Sequence, residues 1–185
     1  MSSFPCYNQI QFCHWRLSRM NENQMLQPEN HTITPWVTTK STEKLIAFLA
    51  SAFNAQELGR VYNADGSIGH AEVRIGDSKI LMFDSPAEWP SFPCLIRLYV
   101  GDSDEIFAQA IKAGATSMTR VITQAWGERG GRVVDPFGNI WWITSKIEDV
   151  SPEEMIERSK QQEYIDAMEY AQKSFNSFLT DVEKS

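Results

Sequence analysis

The chain has 185 residues, 42% of them apolar and 11% aromatic, with 17 Lys+Arg against 24 Asp+Glu for a net charge of −7. That length buries a full hydrophobic core without disulfides or a structural metal, and the acidic balance, with no clustered Lys/Arg stripe, argues against a nucleic-acid partner. No apolar run reaches the roughly 18 residues a membrane helix needs, and the three cysteines, Cys6, Cys13 and Cys94, show no CxxC spacing, so no membrane partner and a reduced, cytoplasmic setting are expected.

Residues 1–29 mix polar residues with scattered apolar ones (Ile10, Phe12, Trp15, Leu17) and read as a loosely ordered arm; Arg16 and Arg19 are too few for a targeting segment. The main domain is expected over residues 30–147. Residues 33–39 are β-branched and aromatic, with Pro35 marking an edge strand or its start. Leu45, Phe48, Leu49, Ala52 and Phe53 fall at i, i+3, i+4, i+7 and i+8, a helical stripe capped by Ser41 or Thr42 and closed by Asn54. Strands over 58–63, 68–75 and 79–84 follow, separated by turns at 64–67 and 76–78. The unit is βαβββ, residues 30–85.

After a Pro-rich bridge over 86–93, the same grammar recurs in residues 94–147: a strand at 95–100, a helix over 104–113 ended by Gly114, and strands near 117–122, 132–135 and 139–145. Ile80-Leu81-Met82-Phe83 superimposes on Ile140-Trp141-Trp142-Ile143 sixty positions on, and Val37-Thr38-Thr39 on Leu98-Tyr99-Val100 sixty-one positions on. A near-constant offset indicates internal duplication. Residues 148–185 form a helical extension: Ser151-Pro152-Glu153-Glu154 is a capping box with proline at the first helical position. Within it Tyr164, Met168, Ala171, Phe175, Phe178 and Val182 step 4, 3, 4, 3, 4, a seam to be buried on the domain or on a second subunit.

The tandem βαβββ units, the first helix over 42–54 and the last hairpin, Val134-Asp135-Pro136-Phe137-Gly138-Asn139-Ile140-Trp141-Trp142, resemble the vicinal oxygen chelate superfamily of glyoxalase I, bleomycin-resistance proteins and extradiol dioxygenases. His70-Ala71-Glu72 before Arg74-Ile75-Gly76-Asp77-Ser78, Trp126-Gly127-Glu128-Arg129 and Asp135-Pro136-Phe137-Gly138 are similar to its PhnB-like branch. The resemblance covers about residues 32–147. It implies an α+β fold, tandem modules forming a curved mixed sheet around a cavity, and a homodimer. It also implies a divalent metal held by His or Glu on the first and last strands of each module. Those positions fall here on Thr34 and Met82, and on Leu95 and Trp142, none of them His or Glu, and Met, Leu and Trp offer essentially nothing to such a cation. Of His14, His31 and His70, only His70 lies in the duplicated core, so no metal and no other cofactor is expected.

In the third strand the period of two sends Ala71, Val73 and Ile75 to one side and His70, Glu72 and Arg74 to the other. His70 and Glu72 are therefore candidates for acid/base work on a bound ligand, against the alternative of a row satisfied by cross-strand partners. Trp36, Thr38, Met82, Arg97, Trp126 and Trp142 are candidate ligand-binding residues, with Thr34 and Leu95 beside them; indoles and a thioether with a few charges suit a small, partly aromatic molecule. Trp126-Gly127-Glu128-Arg129 reads as a loop at the rim of such a site. Cys94 lies on an apolar strand as a packed thiol, and no nucleotide or hydrolase motif is present. Three readings are open: a metal-independent binder of a small organic molecule, a lyase or isomerase using His70 and Glu72, and an interaction protein acting through the C-terminal helix.

Overall fold

A computed structural model describes residues 33–90 and 92–182. The arm over residues 1–29, with Cys6, Cys13 and His14, lies outside the described residues, as does His31. The first module runs β1 (Trp36–Thr39), α1 (Thr42–Phe53), β2 (Gln56–Tyr62), β3 (Ile68–Ile75) and β4 (Ser78–Asp84). The second runs β5 (Leu95–Tyr99), α2 (Ser103–Lys112), β6 (Thr116–Thr123), β7 (Glu128–Val134) and β8 (Ile140–Lys146), followed by α3 (Pro152–Arg158) and α4 (Gln162–Val182). Each module forms its own four-stranded sheet, ordered β1-β4-β3-β2 and β5-β8-β7-β6. β1 joins β4, and β5 joins β8, in parallel; the other pairs are antiparallel. The fold is α+β, two copies of one topology.

One hydrophobic core spans both modules. Helix α1 contributes Leu45, Leu49 and Ala52, all fully buried, against Val37, Val73, Ile80 and Met82 of the first sheet. Burying each leucine contributes about 2 kcal/mol. Phe53, at the end of α1, reaches the buried Trp141 of β8 with ring centroids 4.9 Å apart, and Gln109 of α2 donates to Ser51 O and to Asn54 Oδ1 of the first module. The modules are thus joined through their helix faces.

The start of α1 differs from expectation. Neither Ser41 nor Thr42 caps it with a side chain; the Asp84 carboxylate, on β4, accepts from Thr42 N at 2.7 Å and from Ile68 N at 2.8 Å. Burial pulls the Asp84 carboxyl up, but these amide donors outweigh it and hold it below its ordinary value. Helix α2 is capped locally, Asp102 Oδ1 accepting from Asp104 N and Glu105 N.

Two further boundaries move. The strand expected near 132–135 begins at Glu128, so Glu128 and Arg129 are strand residues and only the turn before them is loop. Gly127, at φ 80°, closes that turn, with Gln124 N donating to Glu128 O at 2.7 Å. The C-terminal helix is two helices. Lys160 N and Gln161 N bond back to Glu157 O and Arg158 O, ending α3, and Gln161 O accepts the first amides of α4. Helix α4 packs in cis along β6, on the sheet face opposite α2: Tyr170 Oη accepts from Arg120 N at 3.1 Å, and the Arg132 guanidinium lies 5.6 Å from the Phe175 ring centroid. Its inner face includes Tyr164, Ala171, Phe175 and Phe178, and Met168 of the same seam is 49% exposed. The side chain of Val182 is outside the described part.

Candidate functional site

Strand alternation gives each sheet one face against its helix and one face away from it. In β3, Ala71 and Val73 are fully buried on the helix face, while His70, Glu72 and Arg74 lie on the other. Register then places the neighbours. Trp36 pairs with Leu81, Thr38 with Phe83 and Glu72 with Leu81, so these residues share the His70 face. The Trp36 ring meets His70 at 5.9 Å and Phe83 at 5.5 Å between centroids, and Trp36 is 53% exposed.

His70 Nε2 lies 3.2 Å from Glu72 Oε1, and Lys79 Nζ lies 3.2 Å from Glu72 Oε2. Burial pulls the Glu72 carboxyl up, but the bonds to His70 and Lys79 outweigh it and keep its pKa below the ordinary value. Glu72 is thus an ionised anchor that orients an imidazole. Lys79 is the member that sequence reasoning missed; it stands diagonally across the β3–β4 hairpin, opposite Arg74.

Met82 requires a correction. It pairs with Ala71 and Val37, both on the helix face, and is fully buried in the core. The residue beside Trp36 and Glu72 on the open face is Leu81.

The second module repeats the arrangement with different chemistry. Arg97 pairs with Trp142, and Trp142 with Arg132, so all three share one face. The Arg97 guanidinium carbon lies 4.3 Å, and that of Arg132 4.6 Å, from the Trp142 ring centroid. Glu128 accepts from Arg97, from Tyr99 Oη and, at 2.6 Å, from Trp126 Nε1. Arg97, Trp126 and Trp142 are therefore brought into one cluster with Glu128 of the expected rim motif, and with Tyr99 and Arg132 as members not singled out beforehand. Their signal was present: Arg132 stands sixty positions after Glu72, at the equivalent place in the duplicated sheet. Trp126 also lines a cleft of about 210 Å³ beneath α4, with Tyr164, Ile165 and Met168. A hollow of about 850 Å³ lies between the modules and includes Lys79, Arg97 and Tyr99 in its lining. Leu95, 55% exposed, flanks it on β5.

The Asp135 turn is structural in its bonding. Its buried carboxylate accepts from Phe137 N, Asn139 N, Asn139 Nδ2 and Trp141 Nε1 at 2.8 to 3.0 Å. Burial, with Asp135 nearby, pushes the Cys94 thiol up to about 12, so it is protonated at neutral pH.

Among the described residues no three His, Cys, Asp or Glu side chains come together to hold a metal ion. At the positions the family resemblance implies, Met82 is sealed in the core, and Leu95 and Trp142 present hydrocarbon and indole, which do not fit a divalent cation. No described helix is long and apolar enough to cross a membrane.

Comparison with known proteins agrees with this architecture. An uncharacterized protein of Mycobacterium bovis is 34% identical over 134 residues, covering 66% of this chain and 88% of its own. Among solved structures, TioX from Micromonospora sp. ML1 matches with a TM-score of 0.55 at 22% identity, over 64% of this chain and 100% of that one. A putative 3-demethylubiquinone-9 3-methyltransferase, PhnB protein, from Bacillus cereus matches with a TM-score of 0.51 at 14% identity, over 62% and 99%. At these identities the two structures speak to the fold alone. Residues 30–143 match the Glyoxalase/Bleomycin resistance protein/Dioxygenase superfamily, and with two βαβββ modules now traced strand by strand across that span, the chain belongs to this superfamily.

Proposed function

We propose that the protein binds a small organic molecule on the sheet faces turned away from α1 and α2, without the divalent metal used by other members of its superfamily. The observation that carries this reading is the half-exposed Trp36, in ring contact with His70 and Phe83 on a face where a core would place aliphatic side chains. Trp36 and Thr38 on one module, and Arg97, Trp126 and Trp142 on the other, are the proposed ligand contacts. Residues 30–147 form the ligand-binding domain. The free edges of β1 and β5 carry the exposed Trp36, Leu95 and Tyr99, and a homodimer covers them in this reading. A cytoplasmic setting suits the free thiol of Cys94.

Native mass spectrometry of the purified full chain tests the reading, since it reports retained small molecule, metal and subunit count together. The expected result is a dimer retaining an organic ligand and no stoichiometric metal. One transition metal per subunit overturns the metal-free reading.

A second reading rests on the 3.2 Å contact between His70 and Glu72. Here His70 moves a proton on the bound molecule, as in a lyase or isomerase, with Glu72 and Lys79 fixing its orientation. Under it, His70→Ala lowers turnover by about 10²–10⁴ with ligand affinity kept; equal loss of both returns the site to binding alone.

A further inference from the structure

The faces turned away from the helices differ in charge from the molecule as a whole. The protein carries a net charge of −7. On these faces Arg74, Lys79, Arg97 and Arg132 stand against only two carboxylates, Glu72 and Glu128; Lys146, at the end of β8, is neutralised by Asp149. Both carboxylates are already engaged, Glu72 by Lys79 and Glu128 by Arg97. The surplus positive charge therefore lies with the remaining arginines.

Arg132 is the distinctive one. Arg60 pairs with Glu57, Arg97 with Glu128 and Arg129 with Asp104, while Arg74, Arg120 and Arg132 make no ion pair among the described residues; of these three, Arg132 is the one set between the Trp142 and Phe175 rings. Among the described residues no carboxylate lies within 4.0 Å of the Arg132 guanidinium. Its contacts are the Trp142 ring at 4.6 Å, the Phe175 ring at 5.6 Å and the Ala171 carbonyl at 3.5 Å. Among the described side chains of α4 the only carboxylate in an ion pair, Glu169, is bonded to Lys173. A half-buried guanidinium beside a second one on the same indole is a costly arrangement unless an anion joins it. Burial, together with Arg97 nearby, indeed pushes the Arg132 pKa down.

The duplicated topology sharpens the point. The row Trp36, Leu81, Glu72 in the first sheet corresponds to Arg97, Trp142, Arg132 in the second. Where the first module carries a carboxylate held by Lys79 and His70, the second carries a guanidinium with an aromatic platform and no acid. A guanidinium fork beside a flat π surface recognises a carboxylate, sulfonate or phosphonate on a planar body.

We propose that Arg132, with Arg97 and the Trp142 ring, forms the anion-binding end of the ligand site, so that the molecule bound is a planar organic anion. This rests on the small-molecule reading above and adds the ligand's charge. The test uses two dyes of nearly the same shape, 8-anilinonaphthalene-1-sulfonate and its uncharged parent N-phenyl-1-naphthylamine, titrated by fluorescence into the full chain. The sulfonate is expected to bind at least about tenfold tighter than the neutral dye, with that advantage shrinking as salt is raised. Arg132→Gln is expected to abolish the advantage while leaving the neutral dye's affinity in place; Arg60→Gln, on the helix face, leaves the preference intact. Should Arg132→Gln fail to fold, the arginine side-chain NMR signals of the wild-type chain give the same answer, the Arg132 resonance shifting with the sulfonate and not with the amine. Equal binding of the two dyes, or a sulfonate preference that survives Arg132→Gln, overturns the anion site and leaves the small-molecule reading standing. Binding of neither dye overturns the small-molecule reading itself.

Discussion

Glu72 illustrates how one side chain acquires its properties from the register of three strands. Alternation within β3 was enough to place it beside His70 on one face, because that needs only a period of two. Lys79 was not legible in the same way, since its position depends on the turn that fixes which β4 residue stands opposite Arg74. The same ambiguity misplaced Met82, which a one-residue change of register moves from face to core. The pairing has a measurable pH consequence. The folded pKa of Glu72 lies below its ordinary value of 4.5, so the stability it contributes is fully present above about pH 4.5 and is lost as the pH falls through the depressed value. In urea titrations at a series of pH values, Glu72→Gln is expected to flatten stability against pH below 4.5.

At the scale of elements, helices and short strands were legible where periodicity and capping residues agreed, as over α1 and at the start of α3. β7 was legible only in its second half, the expected strand starting near Arg132 and leaving out Gly130 and Gly131. Both are positions where neighbouring atoms approach the backbone closely. A Cβ on Gly131 would stand 2.8 Å from the Phe107 ring of α2, and one on Gly130 2.4 Å from Ile143 O. Glycine here serves packing across the strand, which a one-dimensional pattern does not carry. Gly130→Ala is therefore expected to destabilise by about 1–3 kcal/mol, since the obstructing atom belongs to the backbone and does not swing away. Gly59→Ala, on β2, meets nothing within 4 Å and is expected to stay within about 1 kcal/mol of wild type. Chemical denaturation of the two variants side by side checks the contrast. The split between α3 and α4 was likewise hidden, because an apolar seam continues through a break that only the turn bonds at Lys160 and Gln161 reveal.

At the scale of the molecule, the duplication was the most legible feature, since it is written twice at an offset of sixty to sixty-one. It was also the route to Arg132, which the offset aligns with Glu72 although the two side chains are opposite in charge. The copies differ as well in how their helices begin. In the second module Thr42 and Asp84 are replaced, sixty-one positions on, by Ser103 and Ser145, whose contact from Ser103 N to Ser145 Oγ is a long 3.4 Å, and Asp102, the residue just before α2, supplies the cap. In the first, the cap comes from Asp84, 42 residues further along the chain.

This difference predicts unequal folding kinetics for the twin halves. Helix α2 can close its first turn as soon as it is formed, whereas α1 waits for a residue that joins only after three strands have assembled, at the entropic expense of closing that loop. In stopped-flow refolding, Asp102→Ala is expected to slow the folding rate, and Asp84→Ala to act chiefly by hastening unfolding. Two modules with one topology would then assemble in a fixed order, the later one in sequence forming first and serving as the surface on which the earlier one condenses.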